Sequence, residues 1–157
     1  EGIRFPVGTK IDDEYYTWQL LVNADRLARS EFVGYAYRQQ ANSVMHGSFS
    51  LKRVQSLDAK QQRLLYIQKH FPALENLAKE DLVITCLYVM QESLRFLKGE
   101  ERKQAEILIR EAMADTEGLA PGPDAGRMRR LLLKFSRKNL KLTARLLNFL
   151  IEIHILT

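Results

Sequence analysis

Hydrophobic residues recur every three or four positions over most of this chain, the spacing of helices that bury one face and leave the other to water. One stretch departs from that pattern. Residues 82–90 (LVITCLYVM) are apolar almost throughout, so a helix formed there has no face suited to water and must be surrounded by others. The run is shorter than the roughly 20 apolar residues that a bilayer span requires. It predicts a central helix over 81–97, ended by Gly99, inside an all-α bundle.

The flanking patterns predict its neighbours. Residues 1–11 carry Pro6 and Gly8, which oppose regular helix, and read as a lead-in arm. Asp12, Asp13 and Glu14 put negative charge on the first turn of a helix whose stripe, Tyr16, Leu20, Ala24, Leu27 and Ala28, runs to about Arg29. Ser30 is placed to cap a second helix through Met45, with Gly47 as its stop; since no breaker separates the two, one bent helix is the alternative. Residues 48–51 alternate as a short strand would, but nothing else in the chain offers a partner strand, so 47–55 is a connector. A helix opening at Ser56 or Asp58 holds Leu57, Leu64, Leu65 and Ile67 and stops at Pro72, which suits the first turn of a short helix over 73–78.

Beyond Gly99, residues Ala105, Leu108, Ile109, Ala112 and Met113 share one face of a helix that returns against the central one and ends at Gly118. Residues 118–126 (GLAPGPDAG) resemble a linker or mobile loop, and the rest of the chain reads as one long helix. The expectation is a single all-α domain over 1–157, a bundle of six or seven helices. There is no repeat of fixed period.

Composition narrows the class without naming a function. At 157 residues, 46% hydrophobic and 27% charged, the chain has the usage of one globular domain able to bury a core without staples. The lone Cys86 lies within the apolar run, so no disulfide framework is possible and the thiol reads as a small core hydrophobe. No Asn-x-Ser/Thr sequon occurs, and the first residues lack the charged-then-apolar order of a signal peptide, so an intracellular setting, cytoplasmic or nuclear, is expected.

Chemistry-bearing motifs are absent: no Gly-rich phosphate loop, no cysteine pair for zinc, no His-Glu-x-x-His and no Gly-x-Ser-x-Gly. His46 and His70 stand near helix C-termini, where a cation complements the dipole, and His154 lies between isoleucines at a core edge or interface. The acids 12–14 are explained by the same dipole argument, since adjacent helical residues do not face one another. Tyr15, Tyr16, Trp18, Phe32, Tyr35 and Tyr37 could form a stacking surface, but a core with hydroxyls at its rim explains them as well. Neither catalytic residues, nor a metal, nor a cofactor, nor a small-molecule substrate is expected, and the chain reads as a non-catalytic module.

Charge is the feature that changes the picture. Residues 125–151 hold eight Lys and Arg and no acid, and since the whole chain carries +5, the remainder carries −3. On a continuous helix Arg127, Arg130, Lys134, Arg137, Lys138, Lys141 and Arg145 fall within an arc of about 100°. Met128, Leu131, Leu132, Phe135, Leu142, Leu146, Phe149 and Leu150 fill the neighbouring arc, which is expected to be the buried face. Such a cationic ridge reads first as a solvated face and next as a surface for nucleic acid, with acidic protein segments and an anionic membrane surface sharing the last place. The end of the chain is apolar on more than one side, so Leu146, Phe149, Leu150 and Ile153 are expected to meet a partner subunit or another protein. A protein-interaction or scaffold domain is therefore the leading expectation, and direct RNA or DNA binding by the ridge, aided by Lys52, Arg53 and Arg63, is the alternative.

Overall fold

A computed structural model of the chain describes residues 12–36, 49–120, 122 and 126–153. Among these residues every regular element is helical. The order is α1 (Asp12–Asn23), a 3-10 turn (Leu51–Gln55) leading into α2 (Ser56–His70), a second 3-10 turn (Pro72–Leu74) leading into α3 (Glu75–Phe96), then α4 (Gly99–Ala114) and α5 (Arg127–Glu152).

Helices α2, α4 and α5 each pack on α3. Leu82, Val83, Cys86 and Val89 of α3 are fully buried. They meet Leu57 and Leu64 of α2, Ala105, Ile109 and Ala112 of α4, and Leu133 and Ala144 of α5. Two residues, Leu97 and Lys98, join α3 to α4. Gly99 follows with φ +53°, a left-handed conformation that favours a residue without Cβ. The Arg102 guanidinium then donates to the carbonyls of Leu94 (3.0 Å) and Leu97 (2.8 Å), satisfying acceptors that the end of α3 leaves open.

Several sequence expectations are corrected. The short helix expected over 73–78 is not separate: Ala73 and Leu74 belong to the 3-10 turn, and α3 begins at Glu75 and runs on through the apolar run. Pro72 lacks an N–H to donate and stands where a first turn needs none, so the chain bends there and continues. The helix expected to reach Arg29 ends at Asn23, and the second helix expected from Ser30 is absent over residues 24–36, while 37–48 lie outside the described residues. Residues 24–36 are exposed throughout. A short segment including Phe32, Val33 and Gly34 has modest helix propensity, and without packing that propensity does not hold a helix.

Helix α1 is tied to α2 by its polar groups. The Tyr15 hydroxyl donates to Asp58 (2.7 Å) and to the Gln55 carbonyl (3.1 Å), Glu14 pairs with Lys60 (2.8 Å), and Trp18 packs on Tyr66 at 5.0 Å between ring centroids. Burial and the Asp58 carboxylate together raise the Tyr15 phenol above its ordinary value, so it stays a donor at neutral pH.

The segment expected as a loose loop is fastened to α3 where it is described. Asn76 accepts from the Ala120 N–H (3.2 Å), Lys79 donates to the Glu117 carbonyl (2.7 Å), and Glu80 accepts from the Gly122 N–H (3.0 Å). Glu80 also pairs with Arg129 at 2.7 Å. Burial acts to raise the Glu80 carboxyl, but the Gly122 N–H and the Arg129 guanidinium outweigh it and hold the group below its ordinary 4.5.

Candidate interaction surface

The long C-terminal helix is two helical pieces joined at Asn139, whose φ −157° and ψ 88° leave the helical region. Asn139 starts the second piece as an N-cap: its Oδ1 accepts the Leu142 N–H at 3.0 Å, and its carbonyl accepts the Thr143 hydroxyl at 2.9 Å. The ridge was laid out on a continuous helix, so its phase is interrupted between Lys138 and Leu140. Beyond the break, the Asn148 amide donates to the Gln91 carbonyl (3.1 Å) and accepts from the Gln91 amide (3.3 Å), which fixes how the second piece lies on α3.

The buried face of α5 differs from the expected one. Leu133, Ser136, Thr143 and Ala144 are buried, with Leu132, Leu140 and Leu147 packed at their edge. Small side chains at 136, 143 and 144 let α5 lie close to α3. By contrast Met128, Leu131, Phe135, Leu142, Leu146, Phe149 and Ile153 are 44–71% exposed, and Leu150 is half-buried. The arc expected to be core is thus largely an outward apolar stripe. It contains Leu146, Phe149 and Ile153, three of the four residues expected at an interface.

A second regularity lies within the stripe. Met128, Phe135, Leu142 and Phe149 recur every seven residues, and Arg127, Lys134 and Lys141 each stand one residue before the first three. One apolar position every seven residues is half of the two-position pattern by which helices pair, and here the Asn139 break divides the series between Phe135 and Leu142. The spacing was readable from the sequence. It was masked by the assumption that the largest side chains of the helix face inward.

Six of the seven ridge residues, Arg127, Arg130, Lys134, Arg137, Lys138 and Arg145, are exposed, and Lys141 is half-buried. Arg137 donates to the Leu119 carbonyl (2.7 Å), and Lys141 pairs with Glu106 of α4 (2.7 Å). Arg127, Lys134, Lys138 and Arg145 form no ion pair among the described residues. Lys52, Arg53 and Arg63 do not join them, since the first two lie on a 3-10 turn against α2 and α4 and Arg63 pairs with Asp81.

The remaining candidates are accounted for by structure. His70 stacks on Tyr66 at 4.4 Å. His46, His154 and Tyr37 lie outside the described residues. Phe32 and Tyr35 are exposed, and among the described residues they stack on no other ring. Burial, aided by the Asp115 charge, pushes the Cys86 thiol up to about 12, where thiolate chemistry is suppressed at neutral pH. A cleft of about 660 Å³ runs between the Tyr15–Asp58 contact and α4 and is lined by Gln61, Gln104 and Glu111. Among the described residues no group of three potential metal ligands occurs, and no helix is long and apolar enough to cross a membrane.

No protein-family model matches the chain, nor does any curated protein or solved structure.

Proposed function

We propose that this chain is a non-catalytic, intracellular helical binding module in which α3 is the central scaffold and the outward face of α5 is the binding element. One observation carries the reading: α5 buries Ser136, Thr143 and Ala144 while leaving Met128, Phe135, Leu142 and Phe149 in water. Large apolar side chains gathered on one exposed face are unfavourable unless something covers them, and such patches are characteristic of protein contacts. Immobilised chain in cell lysate tests this. A protein partner that survives nuclease treatment and is lost with Leu142→Asp and Phe149→Asp together supports the module; capture unchanged by the double variant contradicts it.

A second reading has its own support. Exposed Arg127, Lys134, Lys138 and Arg145 span about 25 Å of helix and suit phosphates, making RNA or DNA the alternative ligand. In that case log affinity falls linearly with log salt, and Lys134→Gln with Arg145→Gln flattens the slope by about 2 units. An unchanged slope removes the nucleic-acid reading.

A further inference from the structure

We infer that the α5 face binds an acidic amphipathic helix of another protein, an inference that rests on the binding-module reading and specifies its partner. Shape and charge lead to it separately. Met128 and Phe135 before the Asn139 break, and Leu142 and Phe149 after it, leave large apolar side chains exposed on both pieces of α5, a surface that suits the apolar face of another helix. The charge beside that stripe has one sign over most of its length. Residues 125–151 contain no acid, and the one carboxylate of α5, Glu152, stands at its last residue, so a helix seated on the stripe meets cations at Arg127, Lys134 and Lys138, and at Arg145 near that end. Glu106 shows what such a carboxylate does, since from the neighbouring α4 it reaches Lys141 at 2.7 Å.

The same charge argues against the other occupants. A second copy seated through α5 would set Arg127, Lys134, Lys138 and Arg145 of one chain against the same four cations of the other, and like charges across a helix pair are a device for rejecting partners. A phosphate backbone would answer the cations but leave the apolar stripe uncovered. An anionic membrane would meet Asn139, polar, exposed and out of the helical ladder, at the middle of the stripe, where hydrocarbon offers its backbone no hydrogen bond. A polar Asn within a helix–helix seam is tolerated and selects register.

The test uses the full chain and three labelled synthetic helices of about 25 residues with one shared leucine seam, flanked by Glu, Gln or Lys. Fluorescence anisotropy should show the Glu helix bound at least ~10-fold more tightly than the Gln helix, with the Lys helix weakest, and the difference shrinking with salt. Arg127→Gln with Lys134→Gln should abolish the preference for Glu, whereas Phe135→Ser with Leu142→Ser should weaken the Glu and Gln helices alike. Equal binding of the Glu and Lys helices, or no binding of the Glu helix, overturns the acidic partner. So does tighter binding to phosphatidylserine vesicles or to single-stranded RNA, each of which would identify the other class of ligand. The binding-module reading is judged apart from this, on the lysate capture: a partner lost with the Leu142→Asp, Phe149→Asp variant keeps the module even when the helices fail to discriminate.

Discussion

Helices α3 and α5 differ in how many of their large apolar residues they bury, although α3 too leaves Leu77, Tyr88 and Phe96 exposed. Helix α3 puts Leu82, Val83, Leu87, Val89 and Met90 inside, together with two charged residues, Lys79 and Glu80, each given a specific partner. Helix α5 buries one leucine and three small residues at its closest approach and turns Met128, Phe135, Leu142 and Phe149 outward. Burial by α3 is what folds the chain, since apolar area removed from water is the main favourable contribution to folding. The apolar area on α5 contributes little to folding and remains for a second association. The difference teaches that amphipathicity alone does not assign a face to the core, because a helix with two apolar faces docks on the one whose side chains allow close contact.

The largest effect separating the two helices is expected in α3. Leu82→Ala should destabilise the chain by about 2–5 kcal/mol in urea unfolding, the range for a fully buried leucine, and Val83→Asp should prevent cooperative folding. A cost near zero would remove α3 from its role. On α5 the comparison is inverted, since the sensitive positions are small ones. Ala144→Leu should destabilise by about 1–3 kcal/mol through overpacking against α3, and a neutral outcome would mean that the helix stands further off than described.

Glu80 sharpens the comparison from the side of charge. Its carboxyl is held below 4.5 in the fold, so its contribution to stability is present above the unfolded value and is lost as pH falls from 4.5 through the folded value. Glu80→Gln should therefore lower stability by about 1–2 kcal/mol at pH 7. Urea midpoints of the two proteins should converge below pH 4.5, and a constant gap down to pH 2 would contradict the assigned pairing with Arg129 and Gly122. The smallest effect is expected on the stripe. Phe135→Ser and Leu142→Ser should each shift stability by less than about 1 kcal/mol, whereas equivalent losses in α3 are severe.

Much of the architecture was legible beforehand, for reasons visible in particular residues. The run 82–90 is buried at Leu82, Val83, Cys86, Leu87, Val89 and Met90 but leaves Tyr88 half exposed, whereas the face containing Ala105, Ile109 and Ala112 has one clear neighbour across a short joint and is buried as expected. Residues 24–36 were misread because spacing records a potential face and not whether anything packs on it. Asn139 was legible as an N-cap residue, but its signal was overridden by uninterrupted helical spacing on both sides. The stripe and ridge were both found in the sequence as adjacent arcs. What periodicity could not supply was which arc α3 accepts, because that depends on the close fit of Ser136, Thr143 and Ala144 and not on total hydrophobicity.

The central claim, that the apolar stripe of α5 stands in water while Leu82, Val83, Cys86 and Val89 of α3 are enclosed, is open to thiol labelling. The chain has one cysteine, Cys86, fully buried with its thiol pushed up to about 12, so the folded wild type should label only as fast as it opens. In a Cys86→Ala background, Leu142→Cys should react within about tenfold of the denatured chain at every protein concentration, and Leu133→Cys should be protected like Cys86. Protection at Leu142→Cys equal to that at Leu133→Cys would contradict the account and place the stripe inside the fold. Protection that grows with protein concentration would contradict the charge argument instead, since a second copy would then be covering the seam.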